Sequence, residues 1–124
     1  MKTWGKCSLI NINGCNPDRI RSADNILLWG QHLISTIGMK VYGPPFIERF
    51  AVHDEDAVGY TYFQAIETSN VTAHFSETNN TAFIHVFSCK DFSTSKVILS
   101  CLDYFECEDY HVKSFDMLVD GSIK

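Results

Sequence analysis

Residues 60–89, YTYFQAIETSNVTAHFSETNNTAFIHVFSC, contain three segments of β-forming residues in succession, and they are the strongest indication of the fold. The segments 60–67, 71–75 and 81–89 are rich in aromatic and β-branched residues, which fit pleated strands. The linker SETNN carries an Asn pair that suits a hairpin turn. Strands joined by short connections pair antiparallel, so this stretch predicts the middle of an antiparallel sheet.

Two helical patterns flank these strands. Ser22 is a predicted N-cap for a helix over 23–38, whose apolar residues recur at helical spacing and which ends at Gly38. The segment STSKVILSCLDYF, 93–105, offers a Ser/Thr cap and one apolar face, which predicts a second helix. The order predicts an α+β two-layer sandwich, an antiparallel sheet with two helices on one face. Further strands are predicted over 8–13, 46–52 and 111–118.

Composition excludes several classes of protein. The 124 residues suit a single domain, 1–124, and a net charge of −5 with scattered Lys and Arg argues against a nucleic-acid partner. No apolar run approaches the roughly 20 residues of a membrane helix, and the N-terminus makes a poor signal peptide, so a cytoplasmic location is expected. The five cysteines include no CxxC pair, so neither a metal site nor a disulfide framework is predicted.

Four polar residues stand out on the predicted strands and turns: Thr61, Ser69, His74 and Cys89. Each has an ordinary explanation when taken alone. A Ser beside Asn is usually a turn residue, a His on a strand is usually exposed or satisfied in a core, and a Cys ending a strand usually packs. Only the pattern of all four points to chemistry.

That pattern resembles the small prokaryotic S-adenosylmethionine decarboxylases. ETSNVTAHF and VFSCKD are similar to the family's ESHLSIHTWPE and DVFTCGD, and the His74–Cys89 and Ser69–His74 intervals equal the family's. GYT, at 59–61, falls where the family has GVS, and GKCSLININGCNP, at 5–17, resembles the family opening GKHLLVELYGCNP. The elements also follow the family order over nearly the whole chain.

The resemblance implies a chemistry for each of the four residues. Ser69 would attack the Thr68 carbonyl, and self-cleavage between 68 and 69 would convert Ser69 into a pyruvoyl cofactor, with no metal. Decarboxylation of an α-amino acid needs an electron sink that no ordinary side chain supplies, and the pyruvoyl carbonyl is such a sink. The resemblance assigns Thr61 to the oxyanion, His74 to proton abstraction and Cys89 to proton return.

The same resemblance implies a substrate pocket and a partner. Phe50 is the candidate ring for stacking on adenine, although packing in the core is the more expected role for its side chain. Glu67 and Glu77 are candidate acidic neighbours of the sulfonium cation. Family members are homodimers with active sites near the subunit contact, and Phe and Tyr residues on the predicted strands would suit burial there. The expected activity is S-adenosylmethionine decarboxylation for spermidine and other polyamine synthesis.

Three departures from the family pattern leave alternatives open. Thr68 stands where the family has Glu, Asn70 replaces a His, and FSET replaces TWPE. The changed segment after His74 is compatible with a pyruvoyl-dependent decarboxylase of ornithine or arginine. A homologue that does not cleave and instead binds a nucleoside or regulates a partner subunit is the third hypothesis.

Overall fold

Six strands form one antiparallel sheet, and three helices pack on one of its faces. The computed structural model describes residues 1–124. In chain order the elements are β1 (Thr3–Asn13), α1 (Pro17–Ile20), α2 (Ala23–Thr36), β2 (Phe46–Phe50), β3 (Gly59–Ile66), β4 (Ser69–Ser76), β5 (Thr81–Ser88), α3 (Thr94–Phe105) and β6 (Asp109–Leu118).

The predicted helix caps are confirmed. Ser22 Oγ accepts the Asn25 N–H at 3.1 Å, and Ser93 Oγ accepts the Lys96 N–H at 3.3 Å. Gly38 has φ +76°, the left-handed conformation that commonly follows a helix C-terminus. The prediction of two helices is one short, because the turn after β1 contains the four-residue α1, whose N-cap is Asn16.

The strand order is β2-β3-β4-β5-β1-β6, and the alternation of side chains separates two faces. One row across the sheet pairs Tyr62 with Ala73, Ala73 with Ile84, and Ile84 with Ile10, and all four side chains are buried. Helix α2 covers this face, with the Trp29 ring 5.4 Å from Tyr62. Helix α3 packs beside it through Phe105, 5.1 Å from Phe75.

The opposite side of the sheet carries no helix, and we call it the open face. Phe63 and Phe83 on this face are 45% and 41% exposed, an unusual state for large apolar side chains on central strands. At the β2 edge, Phe46 stacks on Phe63 with ring centroids 4.6 Å apart. The central part of the open face, on β3, β4 and β5, consists of Thr61, Phe63, Thr72, His74, Phe83 and His85.

Strand β4 begins two residues before the predicted start at position 71. Ile66 pairs with Ser69, so Glu67 and Thr68 alone make the turn between β3 and β4. Neither turn residue has a positive φ, so the turn holds no left-handed strain. None of the three helices combines the length and apolar character needed to cross a bilayer.

Candidate active site

The Thr68–Ser69 peptide bond lies where the β3–β4 turn passes into β4. Ser69 is the first residue of that strand and is opposite Ile66 on one side and Ser88 on the other. A two-residue turn between paired strands restricts the backbone conformation of the peptide bond that follows the turn, here Thr68–Ser69. The proposed nucleophile therefore stands at a fixed position in the sheet, directly after the carbonyl that it would attack.

That carbonyl already accepts a directed hydrogen bond. The Cys89 backbone N–H donates to the Thr68 oxygen at 3.0 Å. The Thr68 side chain is fixed as well, because Ser88 Oγ donates to Thr68 Oγ1 at 2.7 Å and Thr68 Oγ1 donates to Met39 Sδ at 3.3 Å. A donor on the scissile carbonyl stabilises the negative charge that develops on this oxygen when a nucleophile adds.

Cys89 is the only exposed cysteine of the five. Burial raises the pKa of the Cys15 and Cys101 thiols to about 12, so they remain protonated at neutral pH. Burial also raises the pKa of Cys7 and Cys107. Cys89 is thus the cysteine whose thiol is most accessible from solution.

A cleft of about 380 Å³ opens beside Cys89. Its acidic wall is made by Asp91 and Asp116, and Lys6 Nζ lies 3.3 Å from the Asp91 carboxylate. The half-exposed indole of Trp4, on β1, also lines the cleft, and its ring centroid lies 5.9 Å from that of Phe87. The residues that line the cleft come from β1, from β6 and from the link between β5 and α3. Because these segments are far apart in the sequence, no local sequence pattern predicts the cleft.

Gly5 lets strand β1 pass close to Cys89. A Cβ added to Gly5 would lie 2.7 Å from the Ser88 carbonyl oxygen and 3.1 Å from Cys89 Cα. No side chain fits that gap without displacing the backbone that carries the Cys89 N–H. Glycine at this position therefore helps to place the donor on the Thr68 carbonyl.

Thr61 and His74 form a second group, on the open face. They are directly opposite each other on β3 and β4, and Thr61 Oγ1 lies 3.1 Å from His74 Nδ1. His74 is five residues from Ser69 on one strand, so the two side chains point to opposite faces about 16 Å apart along β4. Within one chain the structure brings Thr68, Ser69 and Cys89 together, but it does not bring His74 and Thr61 to them.

The predicted substrate residues are also spread over the sheet. Phe50 is exposed on the edge strand β2, where its ring stacks 6.0 Å from Phe46, far from the β3–β4 turn. Phe50 is thus on the surface rather than in the core. Glu67 lies in the turn itself, and its backbone N–H donates to the Lys40 oxygen at 3.0 Å.

Glu77 has a different role from the predicted one. Its buried carboxylate accepts two hydrogen bonds from Arg49, at 2.7 and 2.9 Å, and Arg21 lies 4.0 Å away. The hydrogen bond from Arg49 lowers the pKa of Glu77, so it is ionised and already paired. The structure does not support Glu77 as a free carboxylate beside a substrate cation, because both of its oxygens bind Arg49.

Comparison with known proteins identifies the family and the fold of this chain. The S-adenosylmethionine decarboxylase family model matches residues 6–117, so the chain belongs to that family. None of the curated proteins compared with the sequence matches it significantly.

Among solved structures, the chain is similar to the adenosylmethionine decarboxylase from Aquifex aeolicus VF5, with a TM-score of 0.76 at 16% identity. That match covers 92% of this chain and 90% of the other, and at this identity it shows the fold. It confirms the antiparallel sheet backed by helices on one face.

Proposed function

We propose that the chain is a proenzyme that cleaves itself between Thr68 and Ser69 and then decarboxylates S-adenosylmethionine. The observation that carries this proposal is the 3.0 Å hydrogen bond that the Cys89 N–H donates to the Thr68 carbonyl oxygen. This carbonyl belongs to the peptide bond directly before Ser69, the candidate nucleophile. Family membership supports the substrate, and the geometry supports the reactive bond.

Self-cleavage proceeds in three balanced steps. Ser69 Oγ attacks the Thr68 carbonyl carbon; a C–O bond forms, the C–N bond breaks, and the hydroxyl proton ends on the freed nitrogen. Removal of the Ser69 Cα proton breaks the Cβ–Oγ bond, which releases Thr68 as a carboxylate and leaves dehydroalanine. Water then replaces the nitrogen as ammonia leaves, and position 69 becomes a pyruvoyl group.

The residues around position 69 fit such a group. When formed, the pyruvoyl supplies the electron sink for the carbanion left by loss of carbon dioxide. Cys89 directly follows Ser88, the residue paired with Ser69, and its exposed thiol returns a proton to the substrate Cα. The cleft beside it supplies an indole face at Trp4 for a flat base and carboxylates at Asp91 and Asp116 for cationic groups.

The separation of His74 and Thr61 from Ser69 supports a homodimer. A second chain that packs its open face against the first would bring its own Thr61–His74 pair toward Ser69, where the hydroxyl and imidazole act on the oxyanion and on the Cα proton. The exposed aromatic side chains of the open face, Phe46, Phe63 and Phe83, would be covered in that arrangement. Two identical chains would then form two complete sites.

A second candidate substrate is a basic amino acid, ornithine or arginine. The two carboxylates that line the cleft, Asp91 and Asp116, favour it, because they also suit a guanidinium or an ammonium group. The two candidates share the pyruvoyl chemistry and differ only in what the cleft holds.

Release of carbon dioxide from carboxyl-labelled substrates tests the proposal. Purified cleaved protein is expected to act on S-adenosylmethionine and not on ornithine or arginine, and Ser69→Ala protein is expected to release nothing. Activity on a basic amino acid alone would replace the first substrate by the second. No release from any of the three by cleaved protein would overturn the decarboxylase assignment.

A further inference from the structure

Ser88 makes a buried hydrogen-bonded connection to the bond that the proposed function cleaves. Its side chain is completely inaccessible to solvent, and it is paired directly with Ser69 across β4 and β5. The Lys90 N–H donates to Ser88 Oγ at 3.0 Å, and Ser88 Oγ donates in turn to Thr68 Oγ1 at 2.7 Å. The series ends where Thr68 Oγ1 donates to Met39 Sδ at 3.3 Å.

Two consecutive residues therefore hold Thr68 by two different atoms. Ser88 fixes the side chain of Thr68, and the backbone of Cys89 fixes its carbonyl oxygen. A tetrahedral addition needs the carbonyl carbon at a defined distance and angle from the attacking oxygen. A residue held at one atom can rotate about that contact, whereas a residue held at two cannot.

The hydrogen bond between positions 88 and 68 depends on the hydroxyl side chains that this chain has there. Thr68 is short, so its hydroxyl stays within reach of Ser88 on the neighbouring strand. Ser88 itself is fully buried, Thr68 is partly buried, and the two hydroxyls and the Lys90 N–H satisfy one another. An alanine at position 88 would leave the Lys90 N–H and the Thr68 hydroxyl each one partner short.

We propose that Ser88 is a positioning residue for self-cleavage: it orients Thr68 so that the carbonyl carbon faces Ser69 Oγ. This inference rests on the proposed function, since it concerns the same bond. Ser88 takes no part in the bond changes and touches no substrate; it acts only through Thr68.

The test compares Ser88→Ala with Ser8→Ala, a matched control. Ser8 is also fully buried on the sheet and hydrogen-bonded by its side chain, to Thr94 at 2.9 Å and Ser114 at 2.8 Å. Both changes remove a buried hydroxyl, so they should lower stability to a similar degree. Only Ser88 contacts the scissile residue, and Ser88→Thr restores a hydroxyl at the same position.

Each protein is made by cell-free translation, so that cleavage can be timed from synthesis, with and without hydroxylamine. Under mild, neutral conditions hydroxylamine cuts an ester and leaves peptide bonds intact, including the sensitive Asn13–Gly14 bond, so it separates slow ester formation from slow elimination. Ser88→Ala is expected to cleave roughly tenfold or more slowly than Ser8→Ala, without acceleration by hydroxylamine, because ester formation is the impaired step. Ser88→Thr is expected to recover most of the rate.

The possible outcomes distinguish a failure of the proposed role of Ser88 from a failure of the proposed function. If wild-type protein never cleaves between Thr68 and Ser69, the proposed function fails and the inference fails with it. If wild-type protein cleaves and Ser88→Ala keeps the rate of Ser8→Ala, the function stands and the role of Ser88 is refuted. Rapid hydroxylamine cleavage of Ser88→Ala would also refute it, because the ester would have formed normally.

Discussion

A mixture of two inactive variants tests whether the site is shared between chains. Ser69→Ala lacks the nucleophile but keeps Thr61 and His74, and His74→Ala lacks the base but keeps Ser69 and Cys89. In a mixed dimer, the Ser69 and Cys89 of the second variant meet the Thr61 and His74 of the first. One complete site is therefore rebuilt in each mixed dimer, and the other site lacks both groups.

The expected amount of cleavage follows from the geometry. Ser69 and His74 are about 16 Å apart along β4 and on opposite faces, well beyond the distance of about 3 Å that proton transfer needs. No rotamer of one chain closes that gap, so each variant alone should stay uncleaved. Random pairing in an equimolar mixture puts about half of the His74→Ala chains in mixed dimers, and this half should cleave.

The assay unfolds and refolds the two proteins together and follows fragments by denaturing electrophoresis and mass. A mixture of His74→Ala with the double variant Ser69→Ala/His74→Ala is the control and should give no fragments. Cleavage of His74→Ala alone at the wild-type rate would show that His74 is not required. Absence of fragments from the mixture, while both variants form dimers, would contradict the shared site.

Three further predictions concern single residues. Glu77→Gln should destabilise the fold by about 1–2 kcal/mol, since the ion pair with Arg49 is lost but the half-exposed guanidinium is screened by solvent. Because its pKa is lowered on folding, Glu77 contributes stability above its unfolded pKa of about 4.3, and this contribution disappears as pH falls through the lower folded value. Cys89→Ala should still cleave itself but lose roughly a hundredfold or more in decarboxylation rate, because the backbone donor stays and the proton donor does not. Gly5→Ala should slow self-cleavage, because its Cβ would lie 2.7 Å from the Ser88 oxygen and push the donor strand away.

Each of these predictions has a result that would contradict it. Urea unfolding of Glu77→Gln is compared with that of Glu55→Gln, which changes an exposed carboxylate in the 53–58 turn, and equal midpoints would contradict a stabilising Glu77–Arg49 ion pair. Carbon dioxide release by Cys89→Ala at the wild-type rate would remove the thiol from the mechanism. Cleavage of Gly5→Ala at the normal rate, in a folded protein, would show that the close approach of β1 does not matter.

Much of the fold was predictable because its signals are local. The caps Ser22 and Ser93 and the apolar spacing of the helices depend on neighbouring residues, and so does the hairpin before β5, where Asn80 has φ +52°. The position of β1 between β5 and β6 was not predictable. Pairing between strands that are far apart in the sequence depends on packing of the whole chain, and no short segment contains that information. Helix α1 was missed because four residues are too few to show a period.

The residues of the candidate site come from the resemblance, and their roles remain predictions. The structure adds their geometry: Thr61 Oγ1 lies within hydrogen-bond distance of His74 Nδ1, and both lie away from Ser69. That Ser69 and His74 point to opposite faces was implicit in their odd spacing on one strand. The pairing of Glu77 with Arg49 has no such signal, because it joins residues from different strands.

Self-cleavage between Thr68 and Ser69 is best tested by intact-protein mass spectrometry on freshly made and aged wild-type protein, beside Ser69→Ala. We predict that the full-length mass gives way to two fragments divided between Thr68 and Ser69, whose sum differs from the parent by one water gained and one ammonia lost. The Ser69→Ala protein should keep its full mass throughout. A single full-length mass for the wild-type dimer, unchanged with time and with added S-adenosylmethionine, would contradict the claim.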